Sequence, residues 1–394
     1  MNDGQDQILD AGWMVDGTGA PVRRSVRLTL RGRWIARIDT IASENRPAGG
    51  NWQYPSDTLM PGLIDAHLHL CMSPTNDPEA RQRQLSEPYD TAEEGMRRRI
   101  RRMTAHGIVA ARDAGDAAGC GLRFRRECLP DENNAFCLHA AGAGWHARGR
   151  YGRFVGRPPA DGLSLADAVT RETTLGDHLK IINSGINSLA VFGRQTPPQF
   201  SRADLAAAVA AAGRRGVRAM VHANGRQAVG DAVASGAHSI EHGYFMGTDI
   251  IGLLADAQIH WVPTVVPMAV HASRALGAEK DIAARSVDHQ LAQIATAHRA
   301  GARLVVGTDA GGVGVSHGAA ILEEIALFLQ AGVPLSAVIR AATGAAAELM
   351  GLTGLGVLAP GKRACLVVVP GPPEALPGSL KHIKLLLIDG KPVL

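Results

Sequence analysis

The chain has 394 residues, 46% of them hydrophobic and 20% charged, a composition that excludes disordered and fibrous classes and suits a globular enzyme. A formal net charge of +4 over that length gives no field strong enough for nucleic-acid or membrane partners, so a small-molecule substrate is expected.

The start, Met1-Asn2-Asp3-Gly4-Gln5-Asp6, lacks the basic-then-apolar pattern of a secretory signal, and no apolar run is long enough to span a bilayer; a cytoplasmic chain is expected. Residues 8–41 read as short strands, with turns at Asp16-Gly17-Thr18-Gly19 and Arg31-Gly32 and with Val26, Leu28 and Leu30 alternating as in a half-buried strand. Between Leu59 and Gly354 short apolar runs alternate with Ala-rich amphipathic stretches, the signature of repeated βα units around a parallel sheet. Strand character returns at residues 364–369 and 383–388. The expected fold is α/β: a (β/α)8 TIM barrel over residues 59–354, with a small β-sandwich domain built from residues 1–58 and 355–394. Candidate barrel strands are residues 63–67, 107–112, 135–141, 179–183, 218–222, 239–242, 261–265 and 303–308, the eight that a closed barrel needs.

Catalytic groups in such barrels sit where strands end and βα loops begin. The first candidate strand ends in Asp65-Ala66-His67-Leu68-His69, and strand alternation puts the imidazoles of His67 and His69 on one side, where two neutral nitrogens can converge on one ion. A lone HxH is more often structural; this one follows the entry strand Met60-Pro61-Gly62-Leu63-Ile64. The fifth strand ends in His222-Ala223-Asn224-Gly225, the sixth in Glu241-His242-Gly243 and the eighth in Gly307-Thr308-Asp309-Ala310-Gly311. Imidazole and carboxylate suit zinc and other borderline divalent cations. Any one of these residues reads equally as a core histidine or a capping aspartate, but four strand ends agreeing on one rim are hard to explain as packing. The fourth strand sets Lys180 among apolar residues, where a protonated ammonium is costly to bury unpaired. Either an ion pair neutralises it, or the neutral amine takes up carbon dioxide as a carbamate whose oxygens bridge two metals.

The order HxH, strand-end Lys, HAxG, EHG and GTDAG resembles the binuclear amidohydrolase superfamily, particularly its imidazolonepropionase-like and dipeptidase-like (prolidase-like) branch. Val15-Asp16-Gly17-Thr18-Gly19, Leu59-Met60-Pro61-Gly62, Ala342-Thr343 and Leu358-Ala359-Pro360-Gly361-Lys362 extend the resemblance over nearly the whole chain. It implies two divalent metal ions, zinc in the first instance: one held by His67, His69 and Asp309, the other by His222 and His242, with Lys180 bridging them as its carbamate. Imidazolonepropionases typically use one metal and lack the bridging lysine, so Lys180 favours the two-metal branch. The resemblance further implies a metal-bridging hydroxide that attacks a carbonyl, with Asp309 shuttling the proton to the leaving nitrogen. Hydrolysis of an amide bond in an N-acyl amino acid or dipeptide-like substrate is the expected activity. Opening of a cyclic amide, ureide or lactone, and a non-catalytic barrel scaffold, are the alternatives.

The third βα loop, residues 144–154, is basic and is expected to rise over the catalytic face. Arg148, Arg150 and Arg153, with Tyr151 among them, would there clamp a substrate carboxylate, or else form a solvated face. His146 resembles the histidine that dipeptidase relatives use near the scissile group, and is expected to be catalytic. Phe200 stands where such relatives often carry a tyrosine, which argues against the same carboxylate recognition. His317 is expected to line the mouth or cap a helix. Cys137 and His139 read as barrel wall, and His178 as a residue one layer below the site. Arg97, Arg98, Arg99, Arg101 and Arg102 wrap a short helix with no aromatic interleaving, which suits a solvated face or a homo-oligomer contact rather than nucleic acid. Cys71, Cys120, Cys128, Cys137 and Cys365, odd in number and without CxxC spacing, read as reduced core thiols.

Overall fold

The structure, a computed structural model, describes residues 6–41, 51–129 and 136–393. Strands Gln7–Met14, Arg23–Arg31, Trp34–Thr40 and Trp52–Pro61 join Leu366–Pro370, Leu385–Ile388 and Lys391–Pro392 in one seven-stranded sheet. The two chain ends meet where Leu366–Pro370 runs antiparallel to Trp52–Pro61, pairing Leu366 with Pro61 and Val367 with Met60. The alternation of Val26, Leu28 and Leu30 turns those side chains inward, where they pack with Leu9, Leu59, Leu366, Val368 and Leu387 in a core separate from that of the barrel.

From Pro61 the chain enters the barrel directly. Its strands are Leu63–Leu68, Ile108–Asp113, Cys137–Ala140, His178–Ile182, Arg218–Ala223, Ser239–His242, His260–Val262 and Arg303–Leu304. They pair in parallel, and four of them are buried along their whole length, as expected of strands covered on both faces. Residue 135, the first of the expected third strand, lies outside the described residues. The seventh strand ends at Val262, short of the expected 265, because Pro263 has no N–H to continue a ladder. The eighth is regular only to Leu304, yet Ala66 N donates to Val306 O and Asp309 N to His67 O, so the chain still closes on the first strand. Between the third and fourth strands Asp177 N donates to Ala140 O, completing the ring. The fold is therefore the (β/α)8 barrel with a small β-sandwich domain built from both chain termini.

The covering helices follow from their caps and their small apolar faces. Ser201 accepts from Asp204 N at the start of Arg202–Gly213, which buries Leu205, Ala208, Val209 and Ala212. The third βα loop folds back as a ribbon, Gly144–Trp145 beside Gly156–Arg157, with Trp145 paired to Ile181 of the fourth strand. A Cβ at Gly156 would sit 2.0 Å from Gly144 O, so only glycine permits this approach. The ribbon holds Tyr151 and Phe154 over the barrel mouth. No helix among the described residues is long and apolar enough to cross a membrane.

Candidate metal centre

Each of the four strand-end imidazoles has one nitrogen committed to a neighbour, and the identity of that neighbour fixes which nitrogen keeps a lone pair. His67 Nδ1 donates to the Glu241 carboxylate at 2.6 Å and His69 Nδ1 to Gly115 O at 2.7 Å, leaving Nε2 free in both. Thr264 Oγ1 donates to Pro263 O and so accepts from His242 Nδ1 at 2.6 Å, again freeing Nε2. His222 donates through Nε2 to Gly185 O at 3.2 Å, which frees Nδ1. His67 Nε2 and His69 Nε2 lie 3.5 and 3.3 Å from the same oxygen of Asp309. The rings of His222 and His242 are 4.5 Å apart, centroid to centroid, and those of His67 and His242 are 5.0 Å apart. His67 Nε2 is buried and finds no hydrogen-bond partner among the described residues.

The electrostatics favour the ligating forms of His67, His222, His242 and Asp309; at His69 burial works the same way, but the adjoining Asp309 carboxylate outweighs it and raises the imidazole. Burial, and then the charge of Lys180, lowers His67 to about 4 and His222 to about 3, so both imidazoles are neutral at pH 7. Burial alone would raise Asp309, but its close approach to His69 and the other facing imidazoles outweighs that and holds the carboxyl well below the usual range. Lys180 is 2% exposed, and burial lowers its ammonium to about 8. Among the described residues it forms no ion pair and no hydrogen bond, so the neutralising partner that the sequence left open is not supplied by a carboxylate in contact.

Beneath the donors lies a buried brace. Glu241 bonds His67 through Oε2 and Arg112 Nη2 through Oε1 at 2.8 Å, while Arg112 Nε donates to Ala66 O. Burial pushes Glu241 upward, but Arg112 and His67 outweigh it and keep the carboxylate ionised. Asp65 accepts from Thr308 N and Oγ1, at 3.0 and 2.6 Å, and so ties the first strand to the eighth. His242, Asp309 and Thr264 all adopt left-handed backbone, with φ of 69°, 56° and 48°, conformations that non-glycine residues hold only when their surroundings enforce them.

A cavity of about 250 Å³ opens above this centre, with His69, Lys180, His222, His242 and Asp309 in its wall. Met72, Phe154, Ile186, Leu189 and Met268 make much of the remaining surface apolar, and Tyr151 stands 5.6 Å from the His222 ring. The other residues expected at the mouth are elsewhere. Arg148 pairs with Asp161, Arg150 donates to Pro197 O, and Arg153 lies against the Phe154 ring, all three at the solvent-facing side of the loop. His146 is buried within the ribbon, its Nδ1 donating to Ala147 O and its side chain packed on Gly152. His317 lies behind His69, bonded to that residue's carbonyl. Two residues that sequence reasoning missed do line the cavity. Arg81, on the short helix Pro78–Gln84, spends Nη1 on Ser73 O and Gly311 O. Tyr244, just past the EHG motif, has a buried hydroxyl with no partner among the described residues. Of the arginine run, Arg97 and Arg98 pair with Glu93 and Glu94, whereas Arg99 turns inward to hold the carbonyls of Leu70 and Cys71.

The profile of the Amidohydrolase family matches residues 58–393, and the chain belongs to that family. An uncharacterized protein of Mycobacterium tuberculosis (strain ATCC 25618 / H37Rv) is 26% identical over 94% of this chain and 97% of its own length. Among solved structures, a Xaa-Pro dipeptidase with bound methionine superposes with a TM-score of 0.80 at 22% identity, covering 98% of this chain and 99% of that one. The A. niger ochratoxinase gives 0.80 at 19% identity, covering 99% and 96%. Molinate hydrolase gives 0.77 at 17%, covering 100% and 95%. At these identities the structural likenesses establish the shared fold.

The brace yields a direct expectation. Arg112→Leu leaves the Glu241 carboxylate buried without its guanidinium, which should lower unfolding free energy by about 3–5 kcal/mol, and adding Glu241→Gln should recover part of that loss. Urea denaturation of the wild type and the two variants measures this; a loss below about 1 kcal/mol in Arg112→Leu would contradict the role given to Arg112.

Proposed function

We propose that the chain is a two-cation hydrolase of amide-type carbon–nitrogen bonds. Its substrate would be a small molecule with an apolar body and an anionic group, as in N-acyl amino acids and dipeptides. The observation that carries this reading is the convergence of five strand-end donors and one unpaired buried lysine at a single barrel mouth. The donors fit such ions: four lone-pair nitrogens and a carboxylate, with the buried Nε2 of His67 otherwise unsatisfied. His67, His69 and Asp309 would hold one cation and His222 and His242 the other, with zinc matching the donor set, and Lys180 would bridge them as its carbamate.

Divalent cations, when bound, supply Lewis acidity toward a carbonyl and make hydroxide accessible near neutral pH. The protein's own groups do the rest. Asp309 takes the proton of the attacking water at its carboxylate and returns it to the departing nitrogen. The unpartnered Tyr244 hydroxyl is placed to donate to a substrate oxygen. Tyr151 and Phe154 cover the mouth and exclude water. Arg81, whose Nε and Nη2 have no acceptor among the described residues, offers two donors to a substrate carboxylate at one side of a largely apolar cavity. The Xaa-Pro dipeptidase among the structural neighbours is consistent with such a substrate.

Zinc- and bicarbonate-loaded enzyme should cleave N-acyl amino acids and dipeptides and should turn over their C-terminal amides more slowly; a panel that yields only cyclic ureide or lactone opening would overturn the reading. On the best substrate, Asp309→Asn should retain most of the bound cation and lose about 100- to 10,000-fold in kcat, and near-normal turnover would remove Asp309 from the proton transfer. Lys180 supplies a pH test. Only the neutral amine reacts with carbon dioxide, and with the ammonium lowered from 10.5 to about 8 the neutral fraction at pH 7 rises from about 1 in 3,000 to about 1 in 10. At fixed dissolved carbon dioxide, reactivation of decarboxylated, metal-stripped enzyme should therefore speed up roughly fivefold from pH 7 to 8 and level off above about pH 9. A rate that still climbs about eightfold between pH 9 and 10 would show an ordinary lysine.

A further inference from the structure

Outside the barrel mouth, two loops bring together a second set of metal-type donors. Cys71 lies two residues beyond His69 on the loop after the first strand and is 5% exposed. Asp116, also buried, and the half-buried Cys120 come from the loop after the second strand, Cys120 opening the helix Cys120–Cys128. One ligand atom from each of these three residues lies within 4.8 Å of the other two. A tetrahedral zinc with bonds of about 2.3 Å to sulfur and about 2.0–2.2 Å to oxygen separates its ligand atoms by about 3.5–3.8 Å. Small side-chain adjustments would therefore complete the site.

Three features distinguish this cluster from chance packing. Asp116 is held rigidly, Oδ1 accepting from Cys120 N and Oδ2 from Gly121 N, both at 2.9 Å, and each oxygen keeps a second lone pair. A second carboxylate faces it: Asp113 Oδ1 accepts from Leu70 N, while its buried Oδ2 finds no hydrogen bond among the described residues. A Cβ on Gly121 would lie 2.4 Å from that Asp113 oxygen and 3.5 Å from Asp116 Oδ2, so the two carboxylates meet over the bare Cα of Gly121. Arg99, which forms no ion pair among the described residues, is anchored on the carbonyls of Leu70 and Cys71. Two thiolates and two carboxylates around a divalent cation leave an excess of negative charge, part of which this guanidinium would offset.

We propose that Cys71, Asp116 and Cys120 form a separate site for a thiophilic divalent cation such as zinc, cross-linking the first and second βα loops. The mixed sulfur and oxygen donors select that class over magnesium or calcium. The half-exposed Cys120 gives the ion a route from solvent, and water takes the fourth position. Binding forms two metal–sulfur bonds and one metal–oxygen bond and releases both thiol protons to solvent, so affinity rises with pH. Because Cys71 lies two residues beyond His69, the cross-link would steady the start of the loop that follows the first strand.

Cobalt(II) separates this site from the barrel mouth, whose donors are nitrogen and oxygen only. Full-length protein stripped of metal, kept reduced with a phosphine and titrated with cobalt(II), should develop sulfur-to-cobalt charge-transfer absorption in the near ultraviolet. C71S/C120S should lose that absorption entirely, bind one equivalent fewer and keep the visible bands of the mouth. C120A, which leaves the buried Cys71 in place, should lose most of the absorption and covers the case of a double variant that fails to fold. Equal stoichiometry in wild type and variants without sulfur-to-cobalt absorption would overturn the proposal. So would a Cys71–Cys120 disulfide that makes the isolated protein two hydrogens lighter and whose reduced form takes up no cobalt at sulfur.

Discussion

The closure of the eighth strand onto the first is the contact on which the rest depends. Thr308 and Asp309 both donate backbone N–H to the carbonyl of His67, and Asp65 grips Thr308 through its backbone and its hydroxyl. These bonds turn a sheet into a barrel, and they also set the Asp309 carboxylate against His67 and His69. A barrel that closed one residue out of register would turn the carboxylate away from the mouth, since strand side chains alternate. Fold and site are fixed by the same few hydrogen bonds.

A second constraint is charge in a dry place. The mouth holds an ammonium, a carboxylate and four imidazoles with little access to water, and burial penalises every charged form among them. The protein answers in three ways. It keeps His67, His222 and His242 neutral, backs each of the four rings with an acceptor, and braces the lower layer with Arg112 and Glu241. Among the described residues it provides no contact partner for Lys180, and the proposed carbamate would turn that cation into an anion that two metals could share. The left-handed backbone at His242, Thr264 and Asp309 belongs to the same logic, because strain is tolerated where donors must be aimed.

Much of this was legible in the sequence because strand ends and histidines repeat a period. Alternation places His67 and His69 on one face, and the βα rhythm puts His222, His242 and Asp309 at matching heights. Loop geometry carries no such period. The basic residues of the third loop suggested a clamp, but the ribbon built on Gly144 and Gly156 turns Arg148, Arg150 and Arg153 to solvent and leaves Tyr151 over the mouth. Arg81 gave no signal, being one arginine in a polar stretch whose helix direction only the fold defines. The cysteines showed no spacing motif because Cys71 and Cys120 meet across two loops, a contact that composition cannot reveal.

The central claim is that these side chains share a pair of cations with a carboxylated Lys180. A crystal structure of protein grown with zinc and bicarbonate, with anomalous data collected at the zinc edge, tests it most directly. Two peaks should appear at the mouth, one about 2.0–2.2 Å from His67, His69 and Asp309 and one at the same distance from His222 and His242. Planar density should extend beyond Lys180 Nζ to both. A mouth without anomalous signal, or a bare Lys180 ammonium turned away from the imidazoles, would contradict it.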